Sequence, residues 1–278
     1  MKKKFVSVLS VMLFFVFGAL LGASAAGNGA EERVIRVATP GNYAPFTMYE
    51  ELTQEWSGFE IDLWRMIGEK TGYRIQFVHI DTPAAFAEVD LGRADTVAKQ
   101  ISITPARRQK YEFTQPFFFS PYCLTVREDN NKIKSWKDME GKTLALREGS
   151  AMNEFVAALD PDNKVKKAIY ESGNSALHET AMGRVDAYPF AYLILPYRLK
   201  KNPELKLKSV DVENPIYTEI NAYPFARTER GQMLLKLTDE ILTRMIADGS
   251  YAELCKKWFG LDVMETKPAK EYRETLAR

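Results

Sequence analysis

The chain has 278 residues, 46% hydrophobic and 27% charged, an ordinary globular composition long enough for one large core or two smaller ones. Its 38 basic residues are matched by 37 acidic ones, which excludes the strong Lys/Arg excess that a nucleic-acid-binding face needs. It contains no low-complexity segment.

Lys2, Lys3 and Lys4 precede an apolar run from Phe5 to Leu21, and Ala23-Ser24-Ala25 supplies small residues at the spacing a signal peptidase reads. Residues 1–25 therefore read as a cleaved secretory signal, and the protein as periplasmic. The competing reading is an uncleaved membrane anchor, since the run approaches the roughly 18 apolar residues that begin to suggest a span. No Cys stands at the cleavage region, which argues against a lipid anchor. Removing residues 1–25 leaves 35 basic against 37 acidic residues, a soluble, slightly acidic protein. The two cysteines, Cys123 and Cys255, are expected as buried thiols, with one disulfide as the alternative. Neither has the CxxC or His spacing of a metal or redox site, and no cofactor is expected.

Val34 to Ala38 alternates as a strand and leads into a Gly-Asn-Tyr-Ala-Pro turn that holds Tyr43 between Gly41 and Pro45. Glu60 to Lys70 reads as a helix whose Ile61, Trp64 and Ile67 stripe is core, with Gly72 just past its end. Arg74 to Ile80 is a strand, Pro83 to Leu91 a helix, and Thr96 to Ile101 a strand. This alternation predicts a parallel sheet, whose ligands gather where strands end.

That last strand feeds the segment Lys99 to Arg108. Thr104-Pro105 reads as an N-cap followed by Pro at the first helical position. A helix start offers free N–H groups, Ser102 adds a hydroxyl, and Arg107 can fork two hydrogen bonds onto a carboxylate. The bland alternative is a capped surface helix with solvated arginines.

Phe113 to Pro121, with four aromatics and two prolines, suits a crossing strand of limited freedom. The alternation then repeats. Ser135 to Glu140 is a short helix, Lys142 to Arg147 a strand, Ala151 to Leu159 a helix and Val165 to Tyr170 a strand. Ser175 to Met182 is a helix, Val185 to Phe190 a strand, Ala191 to Lys200 a helix and Leu205 to Val210 a strand. Glu148-Gly149-Ser150 is a strand-to-helix turn where Gly149 lets backbone approach a ligand and Ser150 can cap or donate. Ile220 to Ala226 reads as a crossing back, and Glu229 to Phe259 as two helices broken near Asp248-Gly249. The tail after Val263 is charged and expected to be exposed. Two connections at the waist favour hinge closure on a ligand.

Several motifs occur in register: Asn42-Tyr43-Ala44-Pro45-Phe46, Gly58-Phe59-Glu60-Ile61-Asp62-Leu63, Ile101-Ser102-Ile103-Thr104 with Arg107, and Phe113-Thr114-Gln115-Pro116-Phe117. Gly141-Lys142, Gly149-Ser150, Gly183-Arg184-Val185-Asp186-Ala187 and Lys257-Trp258-Phe259-Gly260 follow. Over about residues 33–262 the chain resembles the amino-acid-binding family of periplasmic solute-binding proteins that serve ABC transporters. The resemblance implies an α/β, two-lobed type II periplasmic-binding fold, each lobe a mostly parallel sheet flanked by helices. Residues 33–118 and 223–262 would form one lobe, 119–222 the other, and 263–278 a charged tail. It further implies a monomer that binds an amino acid or small carboxylate and delivers it to an inner-membrane permease, with no nucleic-acid partner. Tyr43 would stack on the ligand, Arg107 and Ser102 would hold its carboxylate, and Gly149 and Ser150 would close the other side.

The chain also departs from that family. The position where the family has the acid that pairs with a ligand ammonium is Ala191 here, so either another residue supplies it, with Glu60 as the best substitute, or the ligand has no such group. Thr82 stands where the family often has a bulky aromatic or Leu, and Ala151 removes one turn hydroxyl. Lys99 and Gln100 replace small residues on the first-lobe strand, and Arg147 stands at a strand end of the other lobe. If Lys99 and Arg147 point inward, the cations outnumber the acids and the ligand should carry more than one anionic group, as an acidic amino acid or small dicarboxylate does. An enzymatic alternative is a cyclohexadienyl-dehydratase-like lyase on the same fold, with Glu179 as general acid. His79 and His178 are expected to be structural.

Overall fold

The computed structural model describes residues 33–150 and 152–276; the secretory signal expected over 1–25 lies outside the described residues, as does Ala151.

Strand β1 (Val34–Thr39) opens the first lobe with Ile35, Val37 and Ala38 fully buried. A small antiparallel flap follows: β2 (Asn42–Tyr43), β3 (Thr47–Glu50) and β4 (Glu55–Ser57). Helix α1 (Phe59–Thr71) buries the expected Ile61, Trp64 and Ile67 together with Phe59 and Leu63. It ends at Gly72, whose φ of 73° lets its N–H return to the Gly68 carbonyl at 2.8 Å. Strand β5 (Arg74–His79), helix α2 (Thr82–Asp90) and strand β6 (Thr96–Val97) complete the alternation, with β5 and β6 parallel to β1 on its two sides. β6 is shorter than the strand the sequence predicts over 96–101. Gln100 takes a left-handed conformation, φ 50°, and turns the chain off the sheet before Ser102.

Helix α3 (Pro105–Lys110) and strand β7 (Tyr111–Phe113) precede the ten-residue outgoing strand β8 (Phe118–Arg127). In the second lobe a 3-10 turn (Trp136–Met139) leads to β9 (Thr143–Arg147), α4 (Met152–Leu159), β10 (Lys166–Tyr170) and α5 (Gly173–Ala181). Strand β11 (Tyr188–Ala191), helix α6 (Leu195–Lys201) and strand β12 (Leu207–Val210) complete it. β9 and β10 pair in parallel, but β11 and β12 flank β8 antiparallel, so this lobe is mixed where a mostly parallel sheet was expected. The returning strand β13 (Tyr217–Asn221) also lies antiparallel on β8, as it must when one strand leaves the first lobe where the other re-enters. β14 (Pro224–Ala226) then pairs with β6 and β7.

Helices α7 (Glu229–Ala247) and α8 (Ser250–Phe259) are broken at Asp248-Gly249, as the sequence predicts. The segment after Val263 is not an exposed tail. A 3-10 turn (Val263–Glu265) and helix α9 (Lys267–Leu276) bury Val263 and Ala269 completely, and the Tyr272 ring packs 5.4 Å from Phe119 on β8. Lys267, Lys270, Glu271 and Glu274 occupy one helix face while Ala269 and Tyr272, three residues apart, share the other.

The largest apolar cluster runs from β1 and α1 through Phe117, Phe118 and Phe119 to Ala191, Leu193 and Ile194, crossing the waist between the lobes. A second cluster, with Leu124, Leu144, Leu146 and Val156, lies in the second lobe. Cys123 and Cys255 are both buried free thiols, and burial pushes each up to about 12.

Candidate binding cleft

The corner between β6 and α3 is built by side chains that satisfy its irregular backbone. Asn221, fully buried at the end of β13, donates to the Gln100 carbonyl at 2.9 Å and faces the Ser120 hydroxyl of β8 at 3.2 Å. One amide thus ties both crossings to the corner. Ser102 forms a bridge with Asn221, and the Ile103 N–H donates to the Ile220 carbonyl at 3.0 Å. The Thr104 cap is as the sequence predicts, its hydroxyl accepting the Arg107 N–H at 3.2 Å.

Arg107 is half-buried. One guanidinium nitrogen donates to the Ser102 carbonyl at 2.8 Å, and the group lies 5.4 Å from the centre of the Phe86 ring. The remaining donors have no carboxylate partner among the described residues, so an aimed guanidinium is held ready for an anion. Burial pulls its titration down, and Glu219 opposes this.

The other residues singled out from sequence fall into separate surroundings. Tyr43 stacks on Phe46, with centroids 5.4 Å apart and planes at 18°, and its edge lines a cavity of about 290 Å³ together with Arg147 and Ser150. Burial, then Glu219 and Glu60, push its hydroxyl up. Ser150 accepts the Met152 N–H at 3.3 Å, starting α4; Gly149, at φ 64°, has open space around it, so only its backbone angle asks for glycine. Lys99 is half-buried; desolvation lowers its titration, Asp81 raises it and Arg147 lowers it. Lys99 and Arg147 therefore feel each other across the lobes.

Glu60 and Gln100 lie deeper. The Glu60 carboxyl is fully buried; one oxygen accepts the Gln100 N–H at 2.9 Å and the other lies beside the Tyr223 hydroxyl, outside hydrogen-bonding geometry. Burial pushes this carboxyl up to about 8, against the smaller opposing effects of the Gln100 N–H and Tyr223. Gln100 is 6% exposed, and both polar atoms of its side chain are buried without partners among the described residues. Thr82 opens α2 with its hydroxyl also buried and, among the described residues, unpartnered.

Sequence reasoning missed Glu219. In the antiparallel register Tyr217 and Ala191 both oppose Tyr122, and Glu219 opposes Ser120. Alternation along β8 and β13 puts Ala191, Tyr122, Ser120 and Glu219 on one sheet face. Continuing the Ser102–Asn221 pairing brings Glu219 alongside Thr104 and hence the Arg107 corner. Burial raises the Glu219 titration, while Arg107, Arg147 and a hydrogen bond from Tyr122 lower it. The only available signal was an acid on the returning crossing, two residues before Asn221. Arg198 of α6 was also missed; it lines the cavity with Tyr122, Ser172 and Tyr188. Glu179, by contrast, pairs with Arg184 at 2.6 Å and does not line this cavity. The lobes touch where the Tyr197 hydroxyl meets the Met48 sulfur at 3.3 Å.

The family model of the bacterial extracellular solute-binding proteins, family 3, matches residues 35–261. PatH of Vibrio harveyi is 34% identical over 229 residues, covering 82% of this chain and 90% of its own length. The probable amino-acid-binding protein YxeM of Bacillus subtilis is 30% identical over 266 residues, covering 95% and 97%. Among solved structures, the probable amino-acid ABC transporter extracellular-binding protein ytmK of Bacillus subtilis superposes with a TM-score of 0.74 at 22% identity, covering 82% of this chain and 97% of its own. That similarity concerns the fold.

Proposed function

The chain belongs to the bacterial extracellular solute-binding proteins of family 3, and from that premise we propose that it is the exported substrate-binding component of an ABC transporter, closing on an amino acid or related small carboxylate and handing it to a membrane permease. PatH and YxeM are both named for amino-acid binding, which supports this ligand class. The observation that carries the reading is the Arg107 corner: a half-buried guanidinium, oriented by the Ser102 carbonyl, with its other donors unpartnered among the described residues.

In this reading Arg107 and the Ser102 hydroxyl hold the α-carboxylate, Tyr43 packs on the ligand body, and Gly149 and Ser150 meet it from the second lobe. Glu219 takes the ammonium group that Ala191 cannot. An amine buried without an acceptor would be costly, and the shared sheet face supplies one beside the carboxylate corner. Glu60, with one oxygen committed to Gln100 and a titration raised by burial, is the poorer candidate. The protein makes and breaks no bonds in this account; Glu179 is held by Arg184 outside the cavity lining, which gives a dehydratase reading no support.

Arg107→Ala tests it. A ligand at 100 times its dissociation constant adds roughly 2.7 kcal/mol to stability, a shift readable in a thermal melt against the common amino acids. The shift should vanish in the variant, while the ligand-free melt stays cooperative and loses no more than about 1.5 kcal/mol with the Ser102 hydrogen bond. A retained shift would show that the carboxylate lies elsewhere.

A further inference from the structure

Resting on the binding-protein reading above, we infer that the cavity between Tyr43 and the second lobe is a subsite for a second anionic group, so that the ligand is an amino acid with an acidic side chain.

The cavity lining contains Arg147 and Arg198 and no Asp or Glu. Arg147 closes β9 and Arg198 stands in α6. Both guanidiniums act on the same two rings, Tyr43 and Tyr188, from the cavity walls. Neither forms an ion pair among the described residues, and the Arg198 Nε is buried with no partner. Arg147 is exposed and its repulsion of Arg198 is softened by solvent, but the Arg198 Nε is buried and unpaired, which is destabilising, so the arrangement favours a bound anion. Ser150, Ser172 and Asn174 add neutral donors to the same wall.

Arg198 also borders an outer groove holding Glu179 and Glu204. Glu179 is engaged by Arg184, and neither acid of that groove forms an ion pair with Arg198 among the described residues. Lys99 adds positive charge from the first lobe, within the field of Arg147.

The order of charges fits one ligand. Arg107 stands at one end, Glu219 lies in the field of both Arg107 and Arg147, and the arginine pair stands at the other. Carboxylate, ammonium and side-chain carboxylate of an acidic amino acid meet these groups in that sequence.

Calorimetric titrations of the purified chain with L-glutamate, L-aspartate, L-glutamine and L-arginine decide the matter. The expected result is tightest binding of one of the two acids. Arg147→Gln and Arg198→Gln should each weaken that acid by about tenfold to a hundredfold, and L-glutamine by less than about threefold. Arg198→Lys, which keeps the charge, should recover part of the loss. No variant should lower the ligand-free melting temperature, because neither arginine is part of an ion pair among the described residues and replacing the buried, unpaired Arg198 Nε removes a cost. Tight binding of L-glutamine or L-arginine that still depends on Arg107, or equal losses for acid and amide, would overturn the subsite and leave the binding-protein reading standing. No binding of any amino acid would overturn both.

Discussion

Glu60, expected from the sequence as the substitute partner for a ligand ammonium, is fully buried with one oxygen bound to the Gln100 N–H. It occupies the first turn of α1, where a carboxylate would normally be favoured by the helix dipole. Complete burial outweighs that effect and raises its titration from 4.5 to about 8. Between those two values the folded chain keeps a proton that the unfolded chain has lost. Stability should therefore be full below about 4.5, fall by about 1.4 kcal/mol per pH unit as the pH rises toward 8, and level off above it. Glu60→Gln keeps an oxygen for the Gln100 N–H and removes the charge. Melting curves should show the variant matching the wild type near pH 4.5 and exceeding it at pH 8; parallel curves at every pH would contradict a protonated Glu60. Glu219 has the opposite consequence for binding. Its titration is raised by burial, and only its ionised form takes an ammonium. Affinity for an amino acid should drop as the pH falls through that raised value, while the 2-keto analogue is spared. The same pH dependence for both ligands would remove Glu219 from the site.

At the scale of elements, the Thr104-Pro105 helix start, the α1 stripe with its Gly72 end and the break at Gly249 were all legible, because each rests on local chemistry of adjacent residues. What was not legible depends on contacts distant in sequence. Nothing near residue 100 announces that Asn221 will bond its carbonyl, nor does anything near Ala191 announce Glu219 two strands away. The tail misled for a related reason: its many charges hide Ala269 and Tyr272, whose spacing matters only once Phe119 is beside them. Asn221→Ala leaves the Gln100 carbonyl and the Ser120 hydroxyl buried without this partner, a loss of about 1–3 kcal/mol. Chemical denaturation should register it, together with weaker ligand binding because the corner carrying Arg107 loosens. Full stability in the variant would mean that the two crossings hold the corner without this amide.

The whole molecule joins two lobes by strands that run in opposite directions through one aromatic-rich waist, with α9 packed against the outgoing one. The cations proposed to hold the ligand are divided: Arg107 and Lys99 belong to the first lobe, Arg147 and Arg198 to the second. A ligand that contacts both sets stabilises the closed arrangement by its differential affinity for it. The two-lobed α/β architecture was legible from the alternation and the in-register motifs, whereas the side chains filling the cleft depend on how β8, β11 and β13 pair. The measurement that tests the central claim most directly is calorimetric titration of the purified chain and its Arg107→Ala variant with a mixture of the common amino acids. The account predicts saturable binding in the wild type and none in the variant, with a cooperative ligand-free melt in both. Equal binding by both proteins, or none by the wild type, would contradict it.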